Sequence, residues 1–169
     1  MEIFVYHTPD LVPDLSKNAR KGGLNLDMPA CAIVIDVLRA TTTMATALQS
    51  GAEAIQVFDD LDELYAVSER WPEEQRLLAG ERSGEKLDGF DLGNSPSECT
   101  PDQVAGKRIF MSTTNGTRAL ERVQQVPILL TASLTNRAAV VRFLMRTQPH
   151  TVWIVAAGWR GSFSLEDTI

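Results

Sequence analysis

Four segments of the chain gather residues of the types that handle an anion or a hard metal ion. The first, IDVLRATTTM (35–44), passes from an apolar run into a helix-forming one and carries Asp36, Arg39 and the hydroxyl run Thr41, Thr42, Thr43. Three consecutive Thr are poor helix formers and one suffices as a cap, so the run suggests a role beyond capping. In that reading Thr41 or Thr42 caps the helix, its free N–H groups face an anion, and Arg39 adds a bidentate charged donor. The plainer alternative is a helix cap with Asp36 paired to Arg39. The second segment, STTNGTRAL (112–120), repeats this chemistry with Asn115, Gly116, Thr117 and Arg118. A cation in the first turn opposes the helix macrodipole, so an anion between them best explains Arg118, unless that side chain swings to solvent.

The third segment is the loop GERSGEKLDGFDLGNSP (80–96), in which Glu81 and Arg82 directly follow an expected strand, while Glu85, Lys86 and Asp88 read as a solvated face. The fourth, GWRGSFSLED (158–167), supplies Arg160, Glu166 and Asp167 where an apolar strand ends and a helix is expected to begin. Ser164 and Asp167 there have the spacing of a capping box. Together Asp36, Glu81, Glu166 and Asp167 offer oxygen ligands without His or Cys, a set that suits Mg²⁺ rather than zinc. Arg39, Arg82, Arg118 and Arg160 offer charge to an anionic substrate. A divalent cation with donors around phosphate oxygens is what phosphoryl transfer requires.

Other chemistries lack support. Gly106-Lys107 is followed by Arg108 rather than Ser or Thr, and no G-x-G-x-x-G occurs, so the usual nucleotide-binding motifs are missing. Neither Cys31 nor Cys99 has the Arg six positions on that a cysteine phosphatase needs, and the two have no C-x-x-C spacing. His7 and His150 fall outside all four segments, which disfavours a Ser-His-Asp triad or a histidine nucleophile.

The elements that must position these residues follow from periodicity. Short β-rich runs at 3–6, 32–37, 54–58, 76–79, 108–111, 128–131 and 152–156 alternate with helical segments at 42–49, 60–71 and 136–148. In the last, Val140, Val141, Leu144 and Met145 are expected inward and Arg142 and Arg146 outward. Gly51 closes the first helix. Strands such as Ala32-Ile33-Val34-Ile35 are apolar throughout, as in a sheet covered on both faces. The expected fold is α/β, a three-layer α/β/α sandwich around a mixed, largely parallel sheet.

The 169 residues, 44% of them apolar, suit one domain with a sizeable core. The formal charge of −6 disfavours nucleic acid and anionic membranes as partners. Its distribution is uneven: residues 59–91 hold eleven acids and four bases, while residues 107–160 hold eight bases against Glu121. A small anionic ligand therefore fits an acidic chain. The amino terminus lacks a signal-peptide pattern and no apolar run approaches the ~20 residues of a membrane span, so a cytoplasmic protein is expected.

The four segments, in this order, resemble the 2-phosphosulfolactate phosphatase family. That resemblance implies Mg²⁺-dependent hydrolysis of 2-phospho-3-sulfolactate, or a related phosphorylated hydroxy acid, to sulfolactate and phosphate, a step in coenzyme M biosynthesis. On this expectation Asp36, Glu81 and Asp167 hold the metal, with Glu166 as a weaker ligand or base. Arg39, Thr41 to Thr43, Arg82, Asn115, Gly116, Thr117, Arg118 and Arg160 bind the anionic groups. Leu38 stands where a haloacid-dehalogenase D-x-D motif would place its second Asp, which favours water over Asp36 as the attacking group. Family members continue beyond the S-L-E-D motif, so a domain cut short after it is expected. The competing readings are a non-catalytic small-anion-binding module and an oligomeric structural protein; a homo-oligomer is compatible with each.

Overall fold

The computed structural model describes residues 1–14 and 28–168. Among these residues eight strands form in chain order: β1 (Glu2–Tyr6), β2 (Cys31–Ile35), β3 (Ala54–Val57), β4 (Arg76–Arg82), β5 (Glu85–Lys86), β6 (Arg108–Ser112), β7 (Ile128–Ala132) and β8 (Thr151–Ala156). Among the described residues five α-helices lie between them: α1 (Ala40–Gln49), α2 (Leu61–Ser68), α3 (Pro101–Val104), α4 (Gly116–Arg122) and α5 (Arg137–Thr147). The alternation makes this an α/β fold. The seven strands expected from sequence all form, and β5 is added to them as the return arm of a hairpin.

The strands divide into two sheets of four instead of one, in the orders β1-β8-β2-β7 and β3-β6-β4-β5. Every pairing is parallel except that of β4 with β5. The central strands of each sheet are covered on both faces, while the edge strand β1 is exposed. Ala32 and Val34 of β2, Trp153 and Val155 of β8, Leu77 and Ala79 of β4, and Ile109 and Met111 of β6 pack with Met44 of α1 and Leu120 of α4 in one core. The alternate residues Cys31, Ile33 and Val152 turn to the opposite face, where Val140 and Leu144 of α5 meet them. Phe110 of β6 likewise turns outward to Phe58, Phe90 and Leu64 of α2. Period-2 alternation thus divides each central strand between two helical coverings, which is why it reads as continuously apolar.

Local chemistry sets the helix ends. Asp60 caps α2 by accepting from the Glu63 N–H at 2.9 Å. Gly51 follows α1 with φ 96°, and Gln148 ends α5 with φ 46°. Two helical expectations change. On α5, Val141 and Met145 are exposed, because the apolar face is only wide enough for Val140 and Leu144 to reach the sheet. After β8 no helix forms among the described residues. Arg160 (φ 49°) and Gly161 (φ 80°) make a tight turn closed by reciprocal bonds between Trp159 and Ser162.

Candidate active site

The strands β2, β4, β6 and β8 deliver all four sequence segments to their carboxyl ends, where parallel α/β sheets present ligand-binding loops. Asp36 follows β2 and is 6% exposed, and Glu81 is the sixth residue of β4 and 7% exposed. Both line a cavity of about 190 Å³, with Arg39, Asn94, Asn115 and Trp159 around them.

Asp36 is built into the start of α1. Its Oδ1 accepts from the Ala40 N–H at 3.2 Å, so the side chain before the helix performs the capping expected of Thr41 or Thr42. The Thr41 hydroxyl accepts from the Asp36 N–H at 3.0 Å and directs its proton toward the carbonyls of Asp36 and Ala132, at 2.8 and 2.7 Å. Thr42 donates to the Val37 carbonyl and Thr43 to that of Arg39. All three hydroxyls therefore fasten the β2–α1 turn, and the helix N-terminus meets Asp36 rather than an open anion site. The peptide between Leu38 and Arg39 in this turn is cis.

Glu81 is held with equal economy. Its Oε1 accepts from the Thr114 N–H at 2.7 Å, while Oε2 accepts from the Gly84 N–H at 2.7 Å and the Thr114 hydroxyl at 3.2 Å. These bonds tie the end of β4 to both its hairpin turn and the β6–α4 loop. On that loop Thr113 and Thr117 close the start of α4 with reciprocal backbone-to-hydroxyl bonds of 3.0 and 3.2 Å. Gly116 is where α4 meets Asp36: a Cβ there would stand 2.6 Å from the Ala40 Cβ and 2.8 Å from Asp36 Oδ2. Only glycine permits that approach.

Asp167 arrives from the end of the described chain and bridges two strand ends. Its Oδ1 accepts from the Val37 N–H at 2.9 Å and its Oδ2 from the Gly158 N–H at 3.1 Å. Burial first, and then the Asp167 charge, push Asp36 up from 3.8 to about 6; Glu81 adds to this, while the N–H groups of Ala40 and Arg39 pull it down. Burial likewise raises Asp167, opposed by the N–H groups of Val37 and Gly158. Glu166 is exposed, and its own backbone and the Ser164 hydroxyl hold it below the ordinary carboxylate range.

The expected four-carboxylate metal set does not assemble. Among the described residues no three His, Cys, Asp or Glu side chains stand close enough to hold one ion. Asp167 bridges two backbone N–H groups outside the residues that line the cavity and Glu166 faces solvent, whereas Asp36 and Glu81 line it. Two carboxylates without His or Cys fit Mg²⁺, which keeps waters and takes its remaining ligands from substrate phosphate.

The basic residues divide too. Arg39 lines the cavity and, among the described residues, reaches only the Gly84 carbonyl, at 3.3 Å. Arg160 stands at the rim, its guanidinium on the Ser83 hydroxyl at 3.0 Å and its N–H on Asn115 Oδ1 at 3.0 Å. Arg82 turns back onto the Glu81 carbonyl and the Ser112 hydroxyl, both at 2.9 Å, and braces β4 against β6. Arg118 is paired with Asp10 at 2.6 Å, so a half-exposed aspartate answers its charge at the start of α4. Asn94 and Trp159 line the cavity although sequence gave them no role. Asn94 sits in the quoted loop, where Asn among Gly, Ser and Pro carries the signal of a turn.

The model of the 2-phosphosulpholactate phosphatase family matches residues 19–169. The chain belongs to this family. It is 61% identical over its whole length to a probable 2-phosphosulfolactate phosphatase of Synechocystis sp., and 60% and 57% identical to proteins of the same description from Nostoc punctiforme and Thermosynechococcus vestitus. The chain spans 66%, 64% and 65% of the lengths of these three relatives. Family membership agrees with the order of the four segments around the cavity. Among the described residues no helix is long and apolar enough to cross a membrane.

Proposed function

We propose that the protein is a Mg²⁺-dependent phosphatase that hydrolyses 2-phospho-3-sulfolactate, or a closely related phosphorylated hydroxy acid, to sulfolactate and phosphate. Such a reaction serves coenzyme M biosynthesis. The observation that carries the reading is the cavity itself, in which two buried carboxylates, Asp36 and Glu81, share one wall with the guanidinium-bearing Arg39. The relatives' names supply the substrate class.

Asp36 and Glu81 would hold Mg²⁺, which supplies Lewis-acid polarisation of the phosphoryl oxygens when bound. Arg39 offers a planar fork of donors to the phosphate, and its bond to Gly84 is weak enough to exchange for a charge-assisted one. Arg160 and Trp159 stand at the rim, where a second anionic group of the substrate would lie. The water oxygen forms the new bond to phosphorus, the ester P–O bond breaks, and the proton lost by that water is balanced by the one the alkoxide leaving group takes up. Burial of Asp36 and Glu81 themselves lowers the dielectric around them, where fixed donors act strongly.

Phosphate release from 2-phosphosulfolactate should need Mg²⁺, stop in EDTA, and fall at least about a hundredfold in Asp36→Asn. Full activity in that variant would refute the assignment. Tight binding of the substrate with no turnover would select a non-catalytic anion-binding module instead.

A further inference from the structure

Given a cation held by Asp36 and Glu81, we propose that the side-chain oxygen of Asn94 is a further ligand to it. Asn94 is 5% exposed and lines the same cavity as the two carboxylates. Its Oδ1 is buried and has no hydrogen-bond partner among the described residues. Buried carbonyl oxygens almost always find a donor, because an unmet one forfeits its hydration with nothing in return. A bound anion would repel this oxygen as it would the two carboxylates; a hard cation satisfies all three at once.

The chain fixes Asn94 firmly while leaving that atom unmet. Leu92 lies beside Ala79 of β4, with the Gly80 N–H on its carbonyl at 3.1 Å and its own N–H on the Leu78 carbonyl at 3.0 Å. Next in sequence, the Gly93 N–H is bound by Glu98 Oε2 at 2.8 Å. The segment thus runs along the outer edge of β4 and brings Asn94 to the wall that Glu81 occupies. An amide oxygen completes a two-carboxylate site without adding another negative charge beside Asp36 and Glu81.

Titration of metal-free protein with MgCl₂ by calorimetry, together with thermal unfolding in EDTA, tests the assignment. Asn94→Leu keeps the branching of the side chain and removes the oxygen; its Mg²⁺ affinity should fall at least about tenfold, while the variant still unfolds cooperatively in EDTA. Asn94→Asp should bind Mg²⁺ at least as tightly as the parent. If the Leu variant does not fold, Asn94→Ala takes its place in the same comparison. Mg²⁺ binding that is lost in Asp36→Asn but unchanged in Asn94→Leu overturns the role of Asn94 and leaves the cation site standing. A lowered midpoint in EDTA with unchanged Mg²⁺ affinity also overturns it and makes Asn94 structural. Absence of Mg²⁺ binding by the parent overturns the cation site and this ligand together.

Discussion

Replacing Asp36 by Asn removes one charge from the site while keeping an oxygen for the Ala40 N–H, which Oδ1 now accepts at 3.2 Å. In the metal-free protein the folded state holds the Asp36 proton more tightly than the unfolded chain, with a value of about 6 against 3.8. Below pH 3.8 both states carry the proton and the group contributes nothing. Between these values the folded state binds the extra proton, so stability falls as pH rises. Above about 6 the full penalty persists, and at about 1.4 kcal/mol per pH unit it amounts to about 3 kcal/mol. Asp36→Asn never ionises there. In EDTA at pH 8 it should therefore exceed the parent protein by up to about 3 kcal/mol, or about 6–12 °C in thermal midpoint for a domain of this size. The gap should close as the buffer is taken from pH 6 to pH 4. Thermal or urea unfolding of both proteins across that range measures it. A variant no more stable than the parent at pH 8, or a gap independent of pH, would refute an electrostatically strained Asp36. Added Mg²⁺ should then reverse the order, stabilising the parent by mass action and the variant little.

Two further outcomes follow from the packing around Asp36. Gly116→Ala places a methyl group 2.6 Å from Ala40 and 2.8 Å from the Asp36 carboxylate, so unfolding experiments should show a loss of about 1–3 kcal/mol, and phosphate release should drop at least about tenfold as the α4 start shifts. An unaltered midpoint would show that the helices yield freely there. Arg118→Ala breaks only its half-exposed pair with Asp10; stability should change by less than about 1 kcal/mol and KM for the phosphate ester should stay within twofold, whereas a large rise in KM would return Arg118 to the substrate site.

Much of the fold was legible because its signals are local. Apolar runs such as Cys31–Ile35 and Thr151–Ala156 admit few readings when both faces are buried. Asp60, Gly51 and the 3.6-residue period mark helix ends and faces from neighbours along the chain. Non-local matters were not legible. Nothing local says that β3, β4 and β6 leave β2, β7 and β8 to form a second sheet, since strand partners are chosen by packing between distant segments. The tight turn at Arg160 and Gly161 was hidden for the opposite reason: Ser164 and Asp167 have capping-box spacing, but Asp167 is drawn instead to the N–H groups of Val37 and Gly158.

The same division holds at the site. Residue type and order alone determined that Asp36, Arg39 and Glu81 stand at strand ends and that their donors are oxygen and guanidinium, because those properties belong to the residues and to the strand-to-helix rhythm. Which groups remain available for a ligand was decided only in three dimensions. Thr41, Thr42 and Thr43 donate to carbonyls, Arg118 pairs with Asp10, and Asp167 bridges two backbone N–H groups outside the cavity lining. Asn94, unremarkable among turn residues, is left with a buried oxygen unmet. A side chain's chemistry is written in its sequence position, but its hydrogen-bonding capacity is finite, and folding determines where that capacity is used.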